Sequence, residues 1–257
     1  MAILEVSGLT KRFGGLAAVE ELNFSIQSGE LLSVIGPNGA GKTTLFNLLT
    51  GFYKPTSGKI IFNGADITGC RPYQITRSGI GRTFQMTNIF QRSTVLENVI
   101  IGQALHAKVG ILGSIFGIPS AVQEKKTAVR KAKEIISFVG LTDKQDKTAG
   151  ILTEEARKRL SIALALATEP KLLLLDEPAG GVNLEEISGL IDLIDKIRKS
   201  GVTVCLIEHK MKVVMRISDR IIVLSYGKNI ADGTPEDVVN NEEVIKAYLG
   251  GRRAPQC

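Results

Sequence analysis

Glycines, a lysine and two threonines are clustered from Gly36 to Thr44, directly after the apolar stretch Leu31 to Ile35. The run fits G-x-x-x-x-G-K-[ST] in the strand-then-helix setting in which this pattern cradles phosphate groups. Its glycines let backbone N–H groups face an anion, and the following helix adds the positive end of its dipole. Lys42 is expected to reach the terminal phosphates, and the Thr43 hydroxyl to help coordinate Mg²⁺. The run predicts a nucleoside triphosphate site. Its expected contacts are Gly36, Asn38, Gly39, Ala40, Gly41, Lys42, Thr43 and Thr44.

Two carboxylates, Asp176 and Glu177, follow a second apolar run, Leu172 to Leu175. A buried strand that ends in this way places them at the sheet edge where α/β folds bind ligands. Asp176 is expected to hold the Mg²⁺ shell, and Glu177 to orient or deprotonate the water that attacks the γ-phosphate. A strand that simply ends in a polar turn is the alternative, but the phosphate-binding run favours catalysis.

His209 follows a third apolar run, Val202 to Ile207, and the intervening Glu208. A histidine at the end of a strand often has a structural role. At the end of a strand beside the carboxylates, however, it is positioned to donate a hydrogen bond to the γ-phosphate or to the attacking water. The sequence therefore offers Lys42, Glu177 and His209 as the catalytic set.

Alternating and continuous apolar patterns indicate which elements position these residues. The predicted strands are Ile3 to Val6, Leu22 to Ile26, Leu31 to Ile35, Gly58 to Phe62, Lys171 to Leu175 and Val202 to Ile207. Helical periodicity marks Thr43 to Leu49, Ala121 to Val139, a stretch from Thr153, and Leu184 to Arg198. Buried-type strands that alternate with helices imply a mainly parallel sheet with both faces covered. The predicted fold class is α/β, with a nucleotide-binding core of residues 1–84 and 168–250, a helical lobe of residues 85–167, and a mobile tail of residues 251–257.

The composition excludes several classes of protein. Its 257 residues are 44% hydrophobic, enough for a sizeable core, and no apolar run approaches the roughly 20 residues that cross a bilayer. The three cysteines are scattered without metal-ligand spacing, and the N-terminus has no signal-type pattern, so a reduced cytosolic setting is expected. The net charge is +6, but the basic clusters lack accompanying aromatic residues and do not predict a nucleic-acid partner. A GTPase is disfavoured because no Asn-Lys-x-Asp segment occurs.

Together these motifs resemble the ATP-binding subunits of ABC transporters, from Ile3 to Gly250. The resemblance implies a P-loop NTPase core with a mainly parallel sheet, an N-terminal antiparallel β portion and an inserted helical signature lobe. It implies ATP and Mg²⁺ as ligands, and it implies a role for each matching position. Phe13 would stack on adenine with Val19 nearby, Gln85 would contact Mg²⁺ and sense the membrane subunit, Glu177 would be the catalytic carboxylate, and His209 the switch histidine.

Within that family the chain is most similar to the ATP-binding subunits of branched-chain amino acid importers. The segments that carry this likeness are Arg12 to Leu16, Leu49 to Pro55, Gly81 to Gln85, Glu208 to Met211, Ile217 to Arg220, Gly233 to Pro235 and Val244 to Gly250. The likeness implies an ATPase that powers import of branched-chain or other hydrophobic amino acids from the cytoplasmic face of the cell membrane. Its implied partners are a second ATP-binding subunit, integral membrane permease subunits and, indirectly, a solute-binding protein. A related importer for urea or another small solute, and a non-transport ABC ATPase with weak hydrolysis, are the alternatives.

One segment departs from the family pattern. The family signature Leu-Ser-Gly-Gly-Gln, which contacts ATP bound to the partner subunit, is replaced by Leu152-Thr153-Glu154-Glu155-Ala156. Thr153 remains suited to cap a helix, and acidic residues suit its first turn. Carboxylates about 4 Å from a phosphate would cost on the order of 4 kcal/mol at an effective dielectric near 20. We therefore expect this segment to contribute a weakened half of the ATP site that it shares with the partner subunit. The sequence leaves both a homodimer and a heterodimer as alternatives.

Overall fold

A computed structural model of the chain describes residues 1–83, 89–103 and 119–250. The described strands are β1 Ala2–Phe13, β2 Leu16–Gln27, β3 Leu31–Ile35, β4 Ser57–Phe62, β5 Ala65–Asp66, β6 Ile80–Arg82, β7 Leu172–Asp176, β8 Thr203–Ile207, β9 Arg220–Ser225 and β10 Lys228–Gly233. The described α-helices are α1 Lys42–Leu49, α2 Pro72–Ser78, α3 Val95–Gly102, α4 Pro119–Phe138, α5 Glu154–Leu166, α6 Leu184–Lys199, α7 Met211–Ile217, α8 Pro235–Val239 and α9 Glu242–Gly250.

The strands form two sheets of different kinds. An antiparallel sheet has the order β2-β1-β4-β5, and a second sheet has the order β10-β9-β3-β8-β7-β6. In the second sheet the neighbours from β9 to β6 are parallel, and β10 is antiparallel to β9. Every residue of β3, β7 and β8 is buried, as expected of parallel strands covered on both faces.

Alternate residues of the parallel sheet contribute to two separate cores. Leu172 and Leu174 of β7 belong to a core that includes α1 and the antiparallel sheet. Leu173 and Leu175 belong to a core formed with α3, α4, α5 and α6. Because each fully buried leucine contributes about 1.5–3 kcal/mol, both faces of β7 hold its end firmly in place.

Local capping fixes the ends of the helices beside the parallel sheet. Thr94 and Glu97 form a reciprocal capping box at the start of α3. Thr153 caps α5, since its Oγ1 accepts the Ala156 N–H at 3.3 Å.

The tail of residues 251–257 lies outside the described residues, and the predicted boundaries of the two domains stay a prediction. In the described part of the chain, no helix combines the length and the apolar character that a membrane crossing requires.

Candidate functional site

The phosphate-binding run forms a tight turn between β3 and α1. Gly36 and Gly41 have φ values of 148° and 101°. A Cβ on Gly36 would lie 2.1 Å from the Leu224 carbonyl oxygen, and one on Gly41 would lie 2.3 Å from that of Ala18. Neither position can carry a side chain, so the spacing of these glycines follows from the packing of the turn against β9 and β2.

Lys42, at the start of α1, is folded back over this turn. Its Nζ donates to the carbonyl oxygens of Gly36 at 2.7 Å and Pro37 at 3.0 Å. Burial lowers the pKa of Lys42, and the charges of Glu177 and Asp176 oppose that shift. Since the two acceptors are neutral carbonyls, phosphate oxygens offer the ammonium group stronger, charge-assisted hydrogen bonds.

Asp176, the last residue of β7, is almost fully buried and forms an ion pair. The Arg82 guanidinium donates to its Oδ2 at 2.8 Å. The same guanidinium donates to Asn47 Oδ1 at 2.7 Å and to Thr50 Oγ1 at 3.0 Å. Arg82 therefore connects β6, β7 and the end of α1. Sequence reasoning missed this residue, although its place in the segment Gly81 to Gln85, which carries the family likeness, was a usable signal.

Glu177 has a left-handed backbone conformation, with φ 48°. Its N–H donates to the Ile207 carbonyl at 2.9 Å, and its own carbonyl accepts from the Gly180 N–H at 3.0 Å and from Lys158 Nζ at 3.1 Å. A non-glycine residue rarely adopts this conformation, and such strain is concentrated at functional sites. The turn presents the carboxylate to His209, whose Nδ1 lies 3.9 Å from Glu177 Oε1.

A further carboxylate, that of Glu208, is fully buried beside this pair. Burial and the charge of Glu177 raise its pKa to about 7, whereas Lys210 and Lys158 oppose the shift. Neither Glu208 nor Lys158 was expected to belong to the site. A glutamate that directly continues a buried strand was the available signal, since such residues are almost never buried without charged neighbours.

The other predicted nucleotide contacts have different surroundings. Asn38, Gly39 and Thr43 are exposed, whereas Ala40 and Val19 are buried. Phe13 is 43% exposed at the end of β1, and its ring meets that of Tyr53 edge to face at 5.3 Å. Gln85 lies outside the described residues.

The matching protein families agree with this geometry. A family described as ABC transporter matches residues 19–180, and one described as branched-chain amino acid ATP-binding cassette transporter matches residues 228–254. The chain belongs to the ABC transporter family. It is an ATP-binding, ATP-hydrolysing subunit of that family, as its sequence predicted.

The similarity to curated relatives and solved structures extends over nearly the whole ABC subunit. It is 47% identical to the high-affinity branched-chain amino acid transport ATP-binding protein BraF of Pseudomonas aeruginosa, over 96% of this chain and 98% of that protein. It is 44% identical to LivG of Escherichia coli, a protein of the same description, with the same coverage. A nucleotide-free ABC transporter cassette superposes with a TM-score of 0.85 at 32% identity, covering 96% of this chain and 99% of that one. The dimeric structure of a bacterial cassette gives 0.77 at 25% identity, covering 90% and 98%. The predicted family and fold class are confirmed.

The signature segment of this chain, which departs from the family pattern, is stabilised by ion pairs within its own helix. Glu155 pairs with Arg159, which also donates to the Val139 carbonyl at 2.9 Å. Glu154 Oε2 lies 3.8 Å from Arg157 Nη1. Both carboxylates therefore have a cationic neighbour, which reduces the repulsion that the sequence alone suggested between this turn and a phosphate.

Proposed function

We propose that this ATPase binds Mg²⁺ with ATP at residues 36–44 and powers the import of branched-chain or other hydrophobic amino acids. The observation that carries the proposal is the convergence of Lys42, Asp176, Glu177 and His209 at one edge of the parallel sheet. The names of BraF and LivG support the choice of transported solute.

The residues present suit a magnesium ion that is shared with phosphates. No group of three or more histidine, cysteine or acidic residues in the described part of the chain forms a protein cage for a metal. Thr43 and Asp176 instead offer one hydroxyl and one buried carboxylate, and Mg²⁺ typically takes few protein ligands together with waters and phosphate oxygens. We place Gln85 as a third ligand on the family likeness. The ion, when bound, neutralises charge that develops on the phosphates.

Hydrolysis follows from the side chains at this edge. Lys42 exchanges its carbonyl partners for phosphate oxygens and holds the terminal phosphate in line. The Glu177 carboxylate orients the attacking water and accepts its proton, and His209 donates a hydrogen bond to the γ-phosphate or to that water. The backbone N–H groups of the turn hold the phosphates, and Phe13 stacks on adenine with Val19 packed nearby.

We infer that the working unit contains two ATP-binding subunits. In such a dimer the turn formed by Thr153, Glu154 and Glu155 faces ATP on the partner. Because two glutamates replace glycines there, the turn contributes a weaker half-site. A partner subunit with an intact signature would complete the site at this chain's own Lys42.

A groove between the core and the helical lobe supplies a docking site for a permease subunit at the cytoplasmic face of the membrane. Phe52 and Tyr73 on its core side are half exposed, and Gly102 and Leu164 lie opposite them. Arg82 also lines the groove, so a permease segment bound in it lies one side chain away from Asp176. A solute-binding protein would act on the permease from the other side.

Steady-state ATPase activity of the purified chain, beside its Glu177→Gln variant, tests hydrolysis, with dimerisation followed by light scattering. We expect Glu177→Gln to lower turnover by about 100-fold or more while ATP binding persists, because a general base contributes on the order of 10²–10⁴-fold. Equal turnover of the two proteins would refute the assignment of Glu177. ATP binding without turnover in the wild type would indicate that a second kind of subunit is needed.

Uptake into vesicles containing the permease subunits tests the transported solute. We expect ATP-dependent accumulation of labelled leucine, isoleucine and valine that is lost with Glu177→Gln. Accumulation of urea without these amino acids would overturn the proposed substrate and leave the ATPase assignment intact.

A further inference from the structure

Lys158 extends from α5 toward the catalytic turn. It lies one helical turn beyond Glu154, and it is only 7% exposed although it is a lysine. Its Nζ donates to the main-chain carbonyl of Glu177 at 3.1 Å. The helix that begins at the signature is therefore joined directly to the residue that activates water in the same chain.

The carbonyl that Lys158 holds belongs to the left-handed residue of the catalytic turn. With the Gly180 N–H on the same oxygen and the Glu177 N–H bonded to Ile207, three hydrogen bonds maintain the unusual conformation. A left-handed conformation in a residue with a Cβ costs of order 1–3 kcal/mol, so it persists only where its surroundings enforce it. Loss of the Lys158 bond removes one of the hydrogen bonds that aim the carboxylate.

Charged neighbours surround Lys158 in the interior. The fully buried Glu208 carboxylate interacts electrostatically with Lys158, Lys210 and Glu177. Lys210 Nζ donates to the carbonyls of Ala179, at 2.8 Å, and Val182, at 3.3 Å, in the turn that continues from Glu177. Two lysines from different elements thus hold one turn, and their charges oppose the rise that burial causes in the pKa of Glu208.

We propose that Lys158 is a positioning residue that couples the signature turn to the catalytic carboxylate of its own subunit. The signature turn and Lys158 share one helix, so a displacement of α5 when the turn engages ATP on the partner also moves the main chain at Glu177. One subunit thereby connects the two nucleotide sites of the dimer. The inference rests on the proposed function, which assigns water activation to Glu177.

Lys158→Met tests this coupling, because methionine keeps the unbranched stem and the helix propensity but removes the donor. Lys196→Met is the matched control, since the exposed Lys196 also donates to a carbonyl, that of Phe138, at 3.1 Å but away from the site. Lys158→Arg restores a cationic donor. We expect kcat to fall about 10-fold in Lys158→Met with little change in the KM for ATP, to recover partly in Lys158→Arg, and to stay unchanged in Lys196→Met.

Amide hydrogen exchange in residues 177–182 provides a readout that is independent of turnover. We expect exchange there to accelerate about 10-fold in Lys158→Met and to remain at the wild-type rate in Lys196→Met. Wild-type exchange in Lys158→Met would overturn the proposal, as would faster exchange with unchanged kcat. If the isolated chain shows no turnover, the exchange comparison decides alone. A wild type that fails to bind ATP would instead refute the proposed function.

Discussion

The sheet edge that carries Asp176, Glu177 and His209, called the catalytic edge after its proposed role, and the signature turn hold their charged side chains in opposite ways. At the edge, Arg82 and Asp176 are joined from strands 94 positions apart in sequence, and both are nearly inaccessible. At the signature turn, Glu155 pairs with Arg159 four positions along the same helix. The first arrangement exists only when the whole core is assembled, whereas the second needs little more than α5. Charge changes should therefore alter stability strongly at the edge and only mildly at the signature.

Arg82→Leu should break the catalytic edge most severely. Removing one partner of a buried ion pair leaves the other charge uncompensated, which costs about 3–5 kcal/mol. We expect that loss in the free energy of unfolding measured with urea. The exposed pair of Arg12 and Glu20, at 3.2 Å, is the control, and Arg12→Leu should cost no more than about 1 kcal/mol.

A double variant identifies the cause of the Arg82 effect. Arg82→Leu combined with Asp176→Asn should be more stable than Arg82→Leu alone, because the unpaired charge has been removed. A loss below about 1 kcal/mol in Arg82→Leu, or no recovery in the double variant, would contradict the view that the edge depends on this pair.

Glu208→Gln should show that the buried carboxylate at the catalytic edge lowers the stability of the folded chain. The pKa of Glu208 is raised from 4.5 to about 7, so the folded chain keeps a proton there that the unfolded chain releases. Wild-type stability should consequently fall as the pH rises through that interval, and the variant should lack this contribution. We expect the variant to gain about 3 kcal/mol relative to wild type between pH 4 and pH 8.

Urea unfolding across that pH range measures the Glu208 effect. Glu5→Gln, on the exposed side of β1, is the control for replacing a glutamate by its amide at the surface. A constant difference in stability between Glu208→Gln and the wild type would show that the carboxylate titrates normally.

The same contrast explains what the sequence could predict. Strands β3, β7 and β8 were predicted to within a residue, because continuous apolar runs bounded by turns have few other interpretations. The three-residue β6 is too short to show a period, and β9 was missed although Ile221 to Leu224 is an apolar run. The family assignment was confirmed, since its motifs are contiguous in sequence.

The site residues outside the motifs could not be predicted from the sequence, and the reason is physical. Arg82, Lys158 and Glu208 acquire their surroundings from the registers of β6 against β7 and β7 against β8, and from the packing of α5. Nothing in the local sequence distinguishes a lysine that reaches the turn at Glu177 from one that lies in solvent. The charges of Glu154 and Glu155 were recognised, but only the assembled helix shows that arginines accompany them.

The smallest expected effect concerns the signature itself. Glu154→Gln with Glu155→Gln removes both charges and, in a Glu177→Gln background that preserves bound ATP, should strengthen ATP-driven dimerisation less than about 10-fold. The effect is small because each carboxylate already has an arginine partner, and partly exposed pairs change free energies by about 1 kcal/mol or less. Light scattering against ATP concentration measures the dimer.

Glu185→Gln with Glu186→Gln is the matched control for this variant, because these residues also place two acidic charges in the first turn of a helix, α6. Both variants lose the favourable interaction of acidic residues with a helix N-terminus, but only the first faces the partner's phosphates. Tighter dimerisation in the signature variant alone would show that the glutamates weaken this half-site. Equal curves would mean that the arginines compensate fully, and the chain would then need no different partner to complete its second site.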